Sequence, residues 1–488
     1  MRDERDVSPD PTHLSNEVDI IDRMKHSFLT DRSEQTAAET LEKLLSLQVQ
    51  NIDLDTWLEV KELLSCLLET ITVTNLISRH QIIVLNVINN SPGIVVDFLA
   101  DLIDRNVEEL EDKLKTSHIA VPIAFARRIC EAQCSDSIAK FLWRFAQIDA
   151  VKNELKVLLT NGDSEARFRV HQVTSNYLKG RGDGSEVSEL VRGLILEISS
   201  SDILIQLTAI EMLCETVYNN KAATAYLFSL GLIDDIYKLL NVVSEHPDAG
   251  FLFPAVMKFF GHLSITDSHC LSQYPNFMRS LLDLIYQYDR LDASLRLLAF
   301  DTLAVVASTE DAKRYLASTP DYNMKEVFNM FGVAIATGPL ELRVRHMEAL
   351  SLLFRSEHKS SHHDVSDLLE KWWQYLGEGF PTVVVTYLTR PFEQLRHATL
   401  QLITNMLSYN WAVDIFKSMD GYGFVNAILN RRIETTSQGK HMKYDIVRLL
   451  VEKGSHCFSS ETLMRLKLYI REGPLYVEPS PKIDMMDK

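Results

Sequence analysis

Residues Ser201–Leu240 read SDILIQLTAIEMLCETVYNNKAATAYLFSLGLIDDIYKLL. Ile203, Leu207, Ile210, Leu213 and Val217 recur at three- and four-residue steps, the spacing that brings side chains onto one face of an α-helix. Asn219 and Asn220 interrupt the pattern, Ala222–Leu230 resumes it, and Gly231 marks a turn. A third amphipathic segment follows, with Ile233, Ile236, Leu239 and Leu240 on its apolar side. Helix, break, short helix, glycine, helix is the layout of an armadillo unit, which buries its apolar faces by stacking on copies of itself.

The layout recurs on both sides of this stretch. A polar or proline-marked start followed by a long amphipathic helix appears near Asp163, Asp202, Asp248, Asp292, Pro339 and Pro391, at intervals of 39 to 52 residues. Armadillo and HEAT units run to about 40–47 residues, so the spacing fits with one insertion. The last unit echoes the first: Leu400, Ile403, Met406 and Leu407, then Trp411–Phe416, then Gly421 and Gly423, then Phe424–Leu429. Upstream, Ala37–Leu47, Trp57–Ile71, His80–Asn89 and Ile94–Ile103 read as helices, and Pro92 suits a first helical position. Val383, Val384 and Val385 favour a strand by themselves. Their place among helices predicts a helix starting at Pro381.

These patterns predict an all-α protein, an armadillo/HEAT-type α-solenoid of about ten repeats. The array runs as one continuous domain over residues 15–478, with an N-terminal part 15–200 and a C-terminal part 201–478. Residues 1–14 and 479–488 read as flexible tails, and Lys179–Ser185 and Ser356–Asp364 as polar loops.

Composition agrees with an array. A chain of 488 residues exceeds the span of one globular core. Its 18 glycines and 14 prolines are few for that length, leaving little material for turns. The net charge of −17 argues against nucleic acid as a partner, since phosphates are held by clustered Lys and Arg. No apolar run approaches the length of a membrane span, and the charged start, Met1 to Asp6, lacks a signal-peptide core. The cysteines Cys66, Cys130, Cys134, Cys214, Cys270 and Cys457 are scattered as reduced core residues are. The expected setting is cytoplasmic, with the nucleus as a second compartment.

Catalytic signatures do not assemble. Arg181-Gly182-Asp183 is a chance tripeptide in a glycine-rich stretch, and no phosphate-binding loop motif occurs. His358, His362, His363 and Asp364 form the one candidate metal cluster, in a stretch that reads as solvated loop. No nucleophile, base and orienting group fall together. We expect no enzyme activity, no metal and no cofactor.

Three stretches carry a family resemblance. They are Ala209-Ile210-Glu211-Met212 with Gly231-Leu232-Ile233-Asp234; Phe253–Leu263 (FPAVMKFFGHL) followed by Tyr274-Pro275; and Tyr469–Val477 (YIREGPLYV). Together and in this order they resemble the proteasome base assembly chaperone family, over about residues 200–478. The resemblance implies a non-enzymatic chaperone, monomeric when free. Such a chaperone binds the C-terminal region of an ATPase subunit of the 26S proteasome base during assembly and is absent from the finished particle. The alternative is a general armadillo adaptor or scaffold for an unrelated partner.

In such arrays one helix per unit lines the concave side. Peptide-binding armadillo proteins place a Trp and an Asn four apart on that helix. Aligned by apolar positions, the corresponding pairs here are Glu211 with Glu215, Lys258 with His262, Asp301 with Val305, Glu348 with Leu352, and Gln401 with Asn405. The candidate partner-binding ladder is therefore Glu211, Glu215, Lys258, His262, Asp301, Glu348, Gln401 and Asn405. Only Asn405 keeps the peptide-binding residue type, and an acid-leaning ladder suits a folded, partly basic protein partner. Phe253, Tyr274, Trp372 and Trp373 are candidate apolar anchors.

Overall fold

The computed structural model describes residues 11–46, 54–91, 93–130, 136–245, 247–357 and 363–476. Within them lie twenty-nine α-helices, five short 3-10 turns and no strand. The valine run is helical, in Phe380–Thr389, because its neighbours supply the apolar contacts that a sheet would otherwise provide. No helix among the described residues is long and apolar enough to cross a membrane.

The chain divides into two compact units, residues 1–216 with 222–230, and residues 217–221 with 231–488. In the first, Gln81–Asn90, Ala120–Arg128 and Asp149–Asn161 pack in succession as one layer. Gly93–Arg105, Ser137–Leu142 and Ser164–Arg181 pack in succession as the other. In the second unit the helices Phe253–Thr266, Ala293–Val306, Leu340–Leu353, Glu393–Met406 and Ser437–Gly454 each pack on the next. Behind them lie Pro275–Tyr286, Met324–Thr337 and Phe380–Thr389. Two helical layers extended by repetition define the α-solenoid fold.

A recurring side chain closes the corner between layers. The fourth residue of the long helix is Arg167, Gln206, Arg296, Arg343 or Arg396. Each turns back to a backbone carbonyl at the end of the preceding helical segment: Gly162, Ile198, Tyr288, Gly338 and Arg390 respectively. Terminal carbonyls of a helix have no partner within it, and they carry the negative end of its dipole, so a long cationic donor suits them. Asp163, Asp292 and Thr309 cap the helices they precede by accepting a backbone N–H three residues on.

Three local expectations are corrected. The start expected near Asp248 is a 3-10 segment, Pro247–Leu252, and the α-helix begins at Phe253, with Pro254 in its first turn. Residues 179–181 are helical rather than loop, since Ser164–Arg181 continues through Gly180 and stops at Gly182 with φ of +81°. Gly180 is tolerated there because the Trp143 ring lies where a Cβ would project. The stretch expected as loop to Asp364 already turns helical at His363. Residues 11–14 lie in the helix Pro11–Thr30, while residues 1–10 and 479–488 are outside the described residues.

The proposed apolar anchors are mostly core. Trp372 stacks on Phe328 at 4.8 Å and is 1% exposed. Trp373 packs edge-on against Phe354 and Phe380, and Tyr274 is buried with its hydroxyl donating to Asp234 at 2.7 Å. Phe253 is half-buried. Large aromatics contribute most when they fill the seam between repeats, which removes them from the surface.

Candidate functional site

In the second unit, the ladder positions fall on the helices that pack side by side, so the apolar alignment located one layer. Lys258 is exposed, one turn from His262, whose ring lies 4.9 Å from that of Tyr218. On the next two helices the geometry centres on a residue absent from the ladder. Arg345 donates from Nη2 to Asp301 at 2.9 Å and from Nη1 to Glu348 at 3.1 Å. Burial raises the Asp301 carboxyl above the usual range, and the Arg345 guanidinium opposes that shift. Arg345 stands three residues before Glu348 on the same helical face, so i−3 spacing from the ladder marks it in the sequence.

Gln401 donates to Asn405 at 3.2 Å, and Asn405 in turn donates to the Ser351 carbonyl at 2.8 Å and to its hydroxyl at 3.0 Å. Its amide N–H groups thus tie two neighbouring helices together.

In the first unit, Glu211 and Glu215 lie on one exposed face of Ile203–Val217. Glu215 accepts from Lys179 of the neighbouring helix at 2.6 Å. Ser175 and Thr216 exchange a hydroxyl hydrogen bond at 2.9 Å beside it. Glu211 has no such partner among the described residues. It borders a groove of about 300 Å³ floored by Ala139, Phe168 and Met212.

Ionisable groups elsewhere are built into the core. His346 is fully buried, shares a 2.7 Å hydrogen bond with the Tyr288 hydroxyl, and burial lowers its pKa to about 4. Arg396 and Glu434 form a buried ion pair at 2.6 Å, with Lys443 donating nearby to the Ala427 and Asn430 carbonyls. Burial lowers Lys443 to about 8. No set of three or more His, Cys, Asp or Glu among the described residues is placed to hold a metal ion. His358 and His362 lie outside those residues, and His363 pairs with Asp367 at 3.2 Å.

The arrangement offers charged and amide side chains along a layer of packed helices. A family model described as "Proteasome non-ATPase 26S subunit" matches residues 10–486. The human 26S proteasome non-ATPase regulatory subunit 5 is 26% identical over 334 residues, which cover 67% of this chain and 65% of that protein. Its Drosophila melanogaster counterpart is 25% identical over 296 residues, covering 60% and 57%. The matches therefore span less than two thirds of these relatives' length, 65% and 57%. Among solved structures, yeast importin-beta superposes with a TM-score of 0.50 over 96% of this chain and 64% of its own, at 11% identity, a likeness of fold.

Proposed function

This chain belongs to the proteasome non-ATPase 26S subunit family, and we propose that it acts there as a non-enzymatic chaperone. It binds the C-terminal region of an ATPase subunit of the regulatory-particle base, holds it during assembly, and leaves before the 26S particle is complete. Family membership carries this reading. A stack of helices with outward-facing charge supports it. Exposed ion pairs contribute only about 0.2–1 kcal/mol each. Affinity must therefore come from many contacts along the layer, with charge setting orientation and rate of encounter. The chaperone works as a monomer in the cytoplasm.

Affinity purification of the tagged chain followed by native gel electrophoresis tests this. Free base subunits, an ATPase among them, should co-purify, and assembled 26S particles should not. Comigration with the finished particle would refute the chaperone reading. Recovery of an unrelated partner with no base subunit would favour a general adaptor instead.

A further inference from the structure

The first unit carries a groove whose two ends differ in chemistry. It runs along the crease between Ser164–Arg181 and Ile203–Val217, as two adjoining pockets of about 180 and 300 Å³ that share Phe168, Thr208 and Met212. At the start of the two helices Phe168, Leu204, Ile205 and Ala209 line it beside the Arg167–Glu197 pair and His171, and Leu204 is 72% exposed. At the other end the Lys179–Glu215 and Ser175–Thr216 bridges close it.

Most polar groups along the groove are already engaged. Gln172 donates to Asp136 at 2.7 Å, and Arg167 pairs with Glu197 at 2.9 Å. Lys140, on the far rim, lies within electrostatic reach of Asp104. In the larger pocket the carboxamide of Asn176 and the carboxylate of Glu211, on neighbouring helices, make no hydrogen bond among the described residues, nor does the Lys140 ammonium, and in the smaller one His171 Nδ1 lacks a partner. A carboxamide offers a donor and an acceptor together, the complement of a backbone peptide group. A lone carboxylate calls for a cation. Leu204 and Glu211 are seven residues apart on one helical face, about 10 Å, which roughly three residues of extended chain span.

We propose that this groove binds an extended protein segment. An apolar side chain of the segment covers Leu204 and Phe168, its main chain pairs with Asn176, and a Lys or Arg two to four positions away meets Glu211. The proposal does not depend on the partner being a proteasomal ATPase, and failure of either reading leaves the other standing.

Fluorescence anisotropy with the full-length protein tests it. The probes are labelled Gly-Ser-flanked peptides containing Leu-Ser-Ser-Lys or its reverse. Controls have Glu in place of Lys, or N-methyl groups on the two central amides. One chain direction of the Lys peptide should bind, with the Glu and N-methyl peptides at least tenfold weaker. Asn176→Ala and Glu211→Gln should each weaken binding severalfold, while Glu348→Gln in the other unit should not. Absence of binding in both directions overturns the proposal. So does affinity unchanged by both groove variants, or an equal loss in Glu348→Gln, which would signal general attraction to an acidic protein. Unchanged circular dichroism and melting curves in the variants keep a folding defect from mimicking the expected loss.

Discussion

Arg296 reaches back across a corner of the chain to the Tyr288 carbonyl, donating from Nε at 3.0 Å, and its Nη2 donates to the Asp289 carbonyl at 2.8 Å. One side chain thereby satisfies two backbone acceptors at the end of one repeat and fixes the start of the next. Leaving a buried or half-buried acceptor without a donor costs about 1–3 kcal/mol. The Tyr288 contact is part-buried and the Asp289 contact exposed, so Arg296→Ala should lower stability by about 1–2 kcal/mol in urea unfolding. Arg296→Lys should recover part of that, since one ammonium cannot reach both carbonyls in the same geometry. A neutral Arg296→Ala would mean that water replaces the guanidinium without penalty.

Breaking the buried pair at the C-terminal end should be costlier. Arg396 and Glu434 are each nearly inaccessible, at 4% and 1% side-chain exposure. Glu434→Leu should destabilise by about 3–5 kcal/mol, because the guanidinium stays buried without its counter-charge. Adding Arg396→Met should restore part of the loss, with the Arg390 carbonyl still lacking its donor. Additive single effects in the double-mutant cycle would show that the two charges are not coupled.

Stability should fall in mild acid through His346. The unfolded imidazole titrates near 6.5, and burial lowers the folded group to about 4. The folded state therefore binds fewer protons between those values. Its stability is full above about pH 6.5 and declines as pH drops toward 4, by about 3 kcal/mol at most. Tyr288 faces Nε2, and Arg345 adds a like charge that disfavours protonation. His171, whose pKa burial also lowers, adds to the same trend. His346→Phe should flatten much of this acid limb. An undiminished pH slope in that variant would assign the effect to other groups.

Gly332 should refuse the substitution that helix propensity recommends. In an exposed helix interior Ala is favoured over Gly by about 1 kcal/mol. Here an added Cβ would lie 2.0 Å from the Leu376 carbonyl oxygen, a backbone atom that cannot swing aside. Gly332→Ala should therefore destabilise, by about 1–3 kcal/mol on the scale of overpacked cores. A higher melting temperature in this variant would show that the two segments can separate freely.

Reversing charge on the first unit should weaken binding of a basic partner with little cost to folding. Glu211→Lys removes an exposed carboxylate without a partner among the described residues, so the stability change should stay within about half a kcal/mol. Glu215→Lys also breaks the bridge to Lys179, and should cost slightly more. Measured against a base ATPase subunit, association should slow in both, and the difference should shrink as salt rises. Wild-type rates in the double variant would remove this face from the partner interface.

Helix identity and repeat spacing were legible in the residues because both are local or periodic quantities. Apolar steps of three and four mark a helical face wherever they occur. Recurrence at about 40–50 residues marks a stack because an isolated unit cannot bury that face alone. The valine run at 383–385 shows the limit of local preference, since repeat context overrode it. Glycine counting misjudged residues 179–181, where packing of Gly180 on the Trp143 ring lets the helix run on.

Side-chain partnerships were a different matter, because they join residues some 30 to 55 positions apart and depend on helix rotation and height. Nothing in the stretch around Asn405 says that its amide is spent on Ser351. Nor does the stretch around Arg345 say that Asp301 lies beneath it. Trp372 and Trp373 look alike as anchors or as core until the packing of Phe328 and Phe354 against them is known. Periodicity in one dimension specifies which face is apolar, and so the class of fold. Which polar groups remain unspent, and so available to a partner, follows from three-dimensional register, where shifts of one residue exchange a free carboxylate for a paired one.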